Sequence, residues 1–257
     1  MITKKDYKVT ASIFIAFFLL IVVGNLMLAS SFNFPDILRE SPEERFTLFQ
    51  NNQGTIIPTY YIMGLTSILQ IFMAVAMYHL TKKGRLLDLF GLTAGVLSGV
   101  FQVLGFFRWV ILIPMLSNAY NIKEISTEVI FFLEKFANTY LGMTVGEHLG
   151  SLFTGLWLIM LGVTLVQNKA FDKKLAWLGL ISGMALSIQS YESVNASALS
   201  FLGDISIALW GLYVVWALIL AIMLFQKKDE STPQTVHWGV WVLGVILYLA
   251  NVIPSFL

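Results

Sequence analysis

Long apolar runs broken by short charged turns set the pattern of this chain. At 1.5 Å of rise per residue, roughly 20 apolar residues cross the ~30 Å hydrocarbon core of a bilayer. Seven runs read as spans on that scale, at about 9–29, 59–80, 89–115, 142–166, 175–190, 202–225 and 236–253. The first follows Lys4, Lys5 and Lys8. It is longer than the apolar part of a signal peptide, and Met27-Leu28-Ala29 lacks a small-x-small cleavage site, so it reads as a retained span.

Two further stretches have a helical period but too much charge for hydrocarbon. Ser41 with Glu44 three residues on forms a capping box, Pro42 occupies the first helical position, and Gly54 marks a stop. Phe46 and Phe49 on one side, with Glu43, Glu44 and Arg45 towards water, predict a helix lying in the membrane interface. Between 121 and 140, Ile125, Val129, Phe132, Leu133, Phe136 and Tyr140 repeat at helical spacing opposite Lys123, Glu124, Glu128 and Lys135. With Asn121 and Glu124 as a cap pair, this predicts a second interfacial helix. The expected fold class is all-α: one domain over 1–257, a polytopic transmembrane bundle of seven spans with two outer interfacial amphipathic helices.

Small residues fall into stripes. Gly91, Gly95, Ser98, Gln102 and Gly105 share one face of the third span, and Gly142, Gly146 and Gly150 one face of the fourth. Such stripes let neighbouring backbones approach closely, the usual basis of helix association in lipid. His237, Trp241, Gly244, Tyr248 and Asn251 line one face of the seventh span, which should look inward. Pro114 is expected to end or bend the third helix.

Composition narrows the classes. The chain is 57% hydrophobic and 12% charged, with mean hydropathy +0.78. Soluble domains run near 25% charged, so lipid rather than water is the expected solvent. A net charge of +1 gives no electrostatic reason to bind nucleic acid. There are no cysteines and only three histidines, which argues against disulfides, thiolate chemistry and a metal site; no cofactor is expected. By side, Lys4, Lys5, Lys8, Lys82, Lys83, Arg85, Lys169, Lys173, Lys174, Lys227 and Lys228 lie on the amino-terminal side, against Arg39, Arg45, Lys123 and Lys135 opposite. Eleven against four puts the amino terminus in the cytoplasm and, after seven spans, the carboxyl terminus outside.

Charge inside the spans marks the candidate site. A guanidinium in a membrane helix costs roughly 2.5–3.5 kcal/mol on insertion scales, so Arg108 should face a partner, water or a ligand. Glu147 is the natural partner. Arg108, Glu147, His148, Asp204 and Asn251 all fall in the outer half, and with Gln102 and Tyr248 they predict one polar, outward-facing ligand-binding cavity. Three functions compete: binding or transport of a small anionic or amphiphilic molecule; an accessory subunit packed on a membrane-protein partner; and an intramembrane acid–base enzyme acting on a lipid-borne substrate. Glu147 and His148 are adjacent and point about 100° apart, so they cannot grip one metal as an i, i+4 pair would, which weakens the enzyme reading.

Phe106-Phe107-Arg108-Trp109-Val110 and the stretch Gly146-Glu147-His148-Leu149-Gly150-Ser151-Leu152-Phe153-Thr154-Gly155-Leu156 carry a resemblance. From about Thr10 to Phe225 the chain resembles the bacterial membrane family known as domain of unknown function 4386. The resemblance implies a bacterial inner-membrane protein and brings no activity with it. The seventh span looks like an addition to that family's core.

Overall fold

Every regular element among the described residues is helical. The computed structural model describes residues 2–123, 125–194, 201–203, 205–227 and 234–252, with the side chains of Asn251 and Val252 excepted. In chain order the helices are α1 (Lys4–Phe32), α2 (Pro42–Thr81), α3 (Leu86–Phe107), α4 (Ile113–Asn121), α5 (Thr127–Ala137), α6 (Gly150–Val166), α7 (Lys173–Gln189), α8 (Ser206–Gln226) and α9 (Trp238–Val252).

Two of the joins are not loops. A π-helical segment, Arg108–Leu112, carries α3 into α4, and a twelve-residue π segment, Asn138–Leu149, carries α5 into α6. Pro114 lacks the N–H that an α-helix would offer to the carbonyl of Val110, and the π segment just before it absorbs the mismatch. The helix therefore does not end at Pro114 but runs on to Asn121. The stretch expected to be a separate amphipathic helix is instead the amino-terminal part of a continuous helix, Thr127–Val166. Asn121 closes α4, and Ser126 rather than Asn121 stands at the start of α5; Glu124 lies outside the described residues.

The same correction applies to α2. Its start is as the sequence predicts, with Ser41 and Glu44 capping each other and Pro42 in the first turn. It does not stop at Gly54. A single non-helical residue, Asn52 (φ −127°, ψ 16°), breaks the backbone, and the helix continues past Pro58 to Thr81.

Among the described residues five helices are long and apolar enough to cross a membrane: Lys4–Phe32, Pro42–Thr81, Leu86–Asn121, Thr127–Val166 and Phe201–Gln226. α7 and α9 have 17 and 15 residues. Consecutive helices are neighbours, in the order α1, α2, α3, α6, α7, α8, and α8 returns to α1, so six helices close a ring. α9 packs against α8 on the outside, with Gly244 seated on Val215 and Ile219. Phe14, Met73, Trp157, Tyr213 and Trp216 fill the middle of the ring.

The glycine stripes act as the spacing predicts. α3 and the Asn138–Val166 run cross antiparallel with Gly105 against Gly146, Gln102 against Gly150, Ser98 bonded to Thr154 (2.6 Å) and Gly91 against Met160. A Cβ on Gly105 would stand 2.7 Å from Gly146 Cα, so neither position has room for a side chain.

Helices of 36 and 40 residues are about 54 and 60 Å long, roughly twice the ~30 Å core. α2, the α3–α4 run and the α5–α6 run all continue past the ring at the end away from the amino terminus, and there they build a headpiece. It has its own apolar core, in which Phe46, Phe49, Trp109, Ile113 and Ile130 are buried together with Phe32 of α1. Phe46 and Phe49, expected to face the membrane interface, are held inside this core.

Candidate functional site

The headpiece meets the ring at Arg108. Arg108 follows the 22-residue α3, so it stands about 33 Å along the helix from Leu86, about the length of helix that crosses a hydrocarbon core. Arg108 is 6% exposed. Nη1 donates to Gly105 O (2.6 Å) and Nη2 to Asn138 Oδ1 (3.1 Å), while the group lies over the Trp109 ring at 5.4 Å. Gly142 makes this possible. A Cβ there would fall 2.6 Å from Nη2, so only glycine leaves space for the guanidinium beside the π segment.

Glu147 does not pair with Arg108. Its Oε2 accepts from Arg39 Nη2 at 2.8 Å, and the same nitrogen reaches Glu192 Oε1 at 3.3 Å. Arg39 ends a short 3₁₀ turn, Asp36–Arg39, in the connection between α1 and α2. Burial works against the Arg39 charge, but the two carboxylates outweigh it and hold its pKa above the ordinary arginine value. One residue earlier, Leu38 O accepts from Asn138 Nδ2 at 3.1 Å. Residues 33–41 thus lie across Arg108 and are tied to it through Asn138 and to the following helices through Arg39.

A second arginine shows what full compensation looks like. Arg45, 4% exposed, faces Glu134 two-pronged, Nε to Oε1 at 2.7 Å and Nη2 to Oε2 at 2.6 Å, with Nη1 donating to Glu40 O. In this region Arg39, Arg45 and Arg108 balance Glu134, Glu147 and Glu192 in number. Among the described residues these acids make their ion pairs with Arg39 and Arg45, and the acceptors bonded to Arg108 are neutral. Its Nε, and the neighbouring Tyr60 Oη and Trp109 Nε1, are buried donors with no acceptor among the described residues. Tyr60 stacks on Trp109 at 5.4 Å, which keeps the three in one cluster. Glu147 Oε1 is likewise buried and unbonded.

Of the other candidate residues, His148 is nearby but committed: its Nδ1 lies 2.7 Å from Ser190 O, which as a pure acceptor requires the proton on Nδ1. Gln102 lies six residues before Arg108, about 9 Å towards the ring, where its Nε2 donates to Ser98 and Thr154 (both 3.0 Å). Tyr248 packs with Trp241 against the ring cluster through α8, away from Arg108. Asp204 and the Asn251 side chain lie outside the described residues. Arg39, Glu134, Asn138 and Tyr60 were not legible as site members: only chain folding brings them within reach, over separations of 108 residues for Arg39 to Glu147 and 89 for Arg45 to Glu134.

Beside this cluster runs a groove of about 280 Å³ between α4 and α5, lined by Leu112, Met115, Leu116, Leu133, Phe136, Ala137 and Leu141. No group of acidic or histidine side chains suited to a metal occurs among the described residues.

A helical ring built on glycine contacts, with five helices among the described residues long and apolar enough to cross a bilayer, is the architecture of a multi-pass membrane protein. A family model described as "Domain of unknown function (DUF4386)" matches residues 9–227, and the chain belongs to that family. The matched region spans the six-helix ring and the headpiece and ends before α9. No curated protein and no solved structure matches the chain.

Proposed function

We propose that this protein binds, and passes or presents, a small anionic or amphiphilic molecule at Arg108. The observation that carries the reading is a buried guanidinium with no carboxylate in ion-pair contact among the described residues. Buried polar groups in folded proteins are as a rule bonded. The same headpiece pairs Arg45 directly with a carboxylate, whereas Arg108 bonds only neutral oxygens, and its own Nε and two neighbouring donors, on Tyr60 and Trp109, are unbonded. An anionic group from outside supplies the missing acceptor. Residues 33–41, held by the partly exposed Arg39 pairs, close the site once it is filled.

On this reading α7 and α9 are shorter sixth and seventh crossings, the basic loops face the cytoplasm of a bacterial cell, and the headpiece stands on the outer face of its inner membrane. The distribution of lysine and arginine supports that orientation.

Native mass spectrometry of protein extracted in mild detergent tests the proposal. An anionic species that co-purifies with the wild type and is lost from Arg108→Gln supports it. Equal retention by both chains, or a stable protein partner with no bound small molecule, contradicts it.

A further inference from the structure

The unbonded polar atoms around Arg108 are of two kinds. Arg108 Nε, Tyr60 Oη and Trp109 Nε1 can donate, whereas Glu147 Oε1 is a charged acceptor, and among the described residues none of the four has a partner. Tyr60 and Trp109 are 1% and 0% exposed, so bulk water does not serve them. The acceptor belongs to the same site as the donors. Gly105, whose carbonyl accepts from Arg108 Nη1, packs against Gly146, the residue before Glu147. The charges of Arg108 and Glu147 also both act on Tyr60. The guanidinium rests on Gly142, five residues before Glu147, which is at most about 7.5 Å of helix.

We infer that the ligand of this site carries a primary ammonium beside its oxyanion, the oxyanion taking the donors around Arg108 and the ammonium donating to Glu147 Oε1, the oxygen that Arg39 leaves free. The inference rests on the reading of Arg108 as an anion site and adds the second half of the ligand. Charge balance favours it. Arg45 and Glu134 form a buried pair of their own, and Arg39 and Arg108 then stand against Glu147 and Glu192. A simple anion would add an unbalanced negative charge where Arg108 and Glu192 are each 6% exposed, and unbalanced charge in such a place is costly. An anion that brings its own ammonium offsets itself. The free oxygen accepts hydrogen bonds, which selects an ammonium with N–H groups over a quaternary one. The short step from Gly142 to Glu147 sets the two ends of the ligand a few bonds apart. The Glu147 and Arg39 side chains are 29% and 41% exposed, so the acid end is reached from the surface, and the deeper donors are reached once residues 33–41 lift.

Pairs of compounds that differ in the amine test this, titrated calorimetrically against the full chain in a maltoside detergent, with native mass spectrometry for stoichiometry. Phosphoethanolamine is set against ethyl phosphate, β-alanine against propionate, and lysophosphatidylethanolamine against lysophosphatidylglycerol. In at least one pair the amine compound should bind one per chain and about tenfold or more tightly than its counterpart, the size of one charge-assisted hydrogen bond. A preference in the first two pairs identifies a free small molecule, and a preference in the third alone a lipid headgroup. Glu147→Gln should abolish the preference. Arg39→Gln loosens the same connection but keeps the acid, and should retain the preference, which separates a contact to the ligand from a role in fastening residues 33–41. Arg108→Gln should weaken both members of the pair, and Arg108→Lys should recover part of the loss, which separates lost charge from misfolding. Arg108-dependent binding with no amine preference in any pair overturns the ammonium half and leaves the anion site standing, and so does a preference that survives Glu147→Gln. If no compound depends on Arg108, the anion site fails and this inference with it.

Discussion

Arg39, not Arg108, holds Glu147: the Nη2–Oε2 distance is 2.8 Å, and the same guanidinium nitrogen also reaches Glu192. The acid expected to neutralise the intramembrane arginine is thereby used to fasten the connection between α1 and α2 over it. Among the described residues, that exchange of partners leaves no carboxylate in ion-pair contact with Arg108, which bonds only neutral oxygens.

The fastening should behave as a latch rather than as a stabilising bond. Arg39 is 41% exposed in its side chain, and exposed ion pairs contribute only about 0–1 kcal/mol. Arg39→Gln should therefore leave the melting temperature nearly unchanged. It should raise the maleimide labelling rate of a cysteine placed at Leu38, the sole thiol in a chain that has none of its own. An unchanged labelling rate would show that residues 33–41 are held by something other than Arg39.

The buried pair in the headpiece should behave in the opposite way. Removing one member of Arg45–Glu134 strands a charge in an apolar core and should cost about 3–5 kcal/mol. Glu134→Leu alone should be severely destabilised in thermal unfolding, and Arg45→Met with Glu134→Leu should recover most of the loss. A double variant no better than the single one would mean that the pair also serves another purpose.

Gly142 and Gly105 should separate binding from packing. Gly142→Ala pushes a methyl group at a guanidinium, whose side chain can move, whereas Gly105→Ala pushes one at the backbone of Gly146. Overpacking of the second kind costs about 1–3 kcal/mol. Gly105→Ala should lower stability by that order, while Gly142→Ala should cost less stability and should displace Arg108 enough to weaken anion binding. If both variants lose stability equally and bind normally, Gly142 is a packing position only.

Single cysteines also test the orientation. Asn51→Cys in the headpiece should react with an impermeant maleimide on intact cells, and Lys83→Cys should react only after permeabilisation. The reverse pattern would place the headpiece in the cytoplasm.

Much of the fold was written in local pattern. The capping box at Ser41 and the glycine stripes each depend on residues a few positions apart, and the structure places them where that spacing implies. What local pattern could not show is where a helix continues. Gly54 and Pro58 look like a stop, and Lys123 to Lys135 look like a separate surface helix, because charge near a membrane span normally marks its end. Here the helices run past the ring and bury Arg45, Phe46, Phe49 and Glu134 against one another, and that core exists only once three distant segments are side by side. The residues read as the apolar stripe of the second amphipathic helix, Val129, Phe132, Phe136 and Tyr140, are exposed, and the buried face is Ile130, Glu134 and Ala137. Arg108 and Glu147 were legible as unusual charges. Their partners were not, since Asn138, Arg39 and Glu192 come from other helices and a connection.

The most direct test of the central claim is thermal unfolding of wild type and Arg108→Gln with and without a saturating anionic amphiphile such as decanoate. A ligand that binds only the folded state raises its stability in proportion to the logarithm of its concentration. The expected result is a concentration-dependent rise in the melting temperature of the wild type and none in Arg108→Gln. An equal rise in both, or none in either, would contradict the claim that Arg108 awaits an anion.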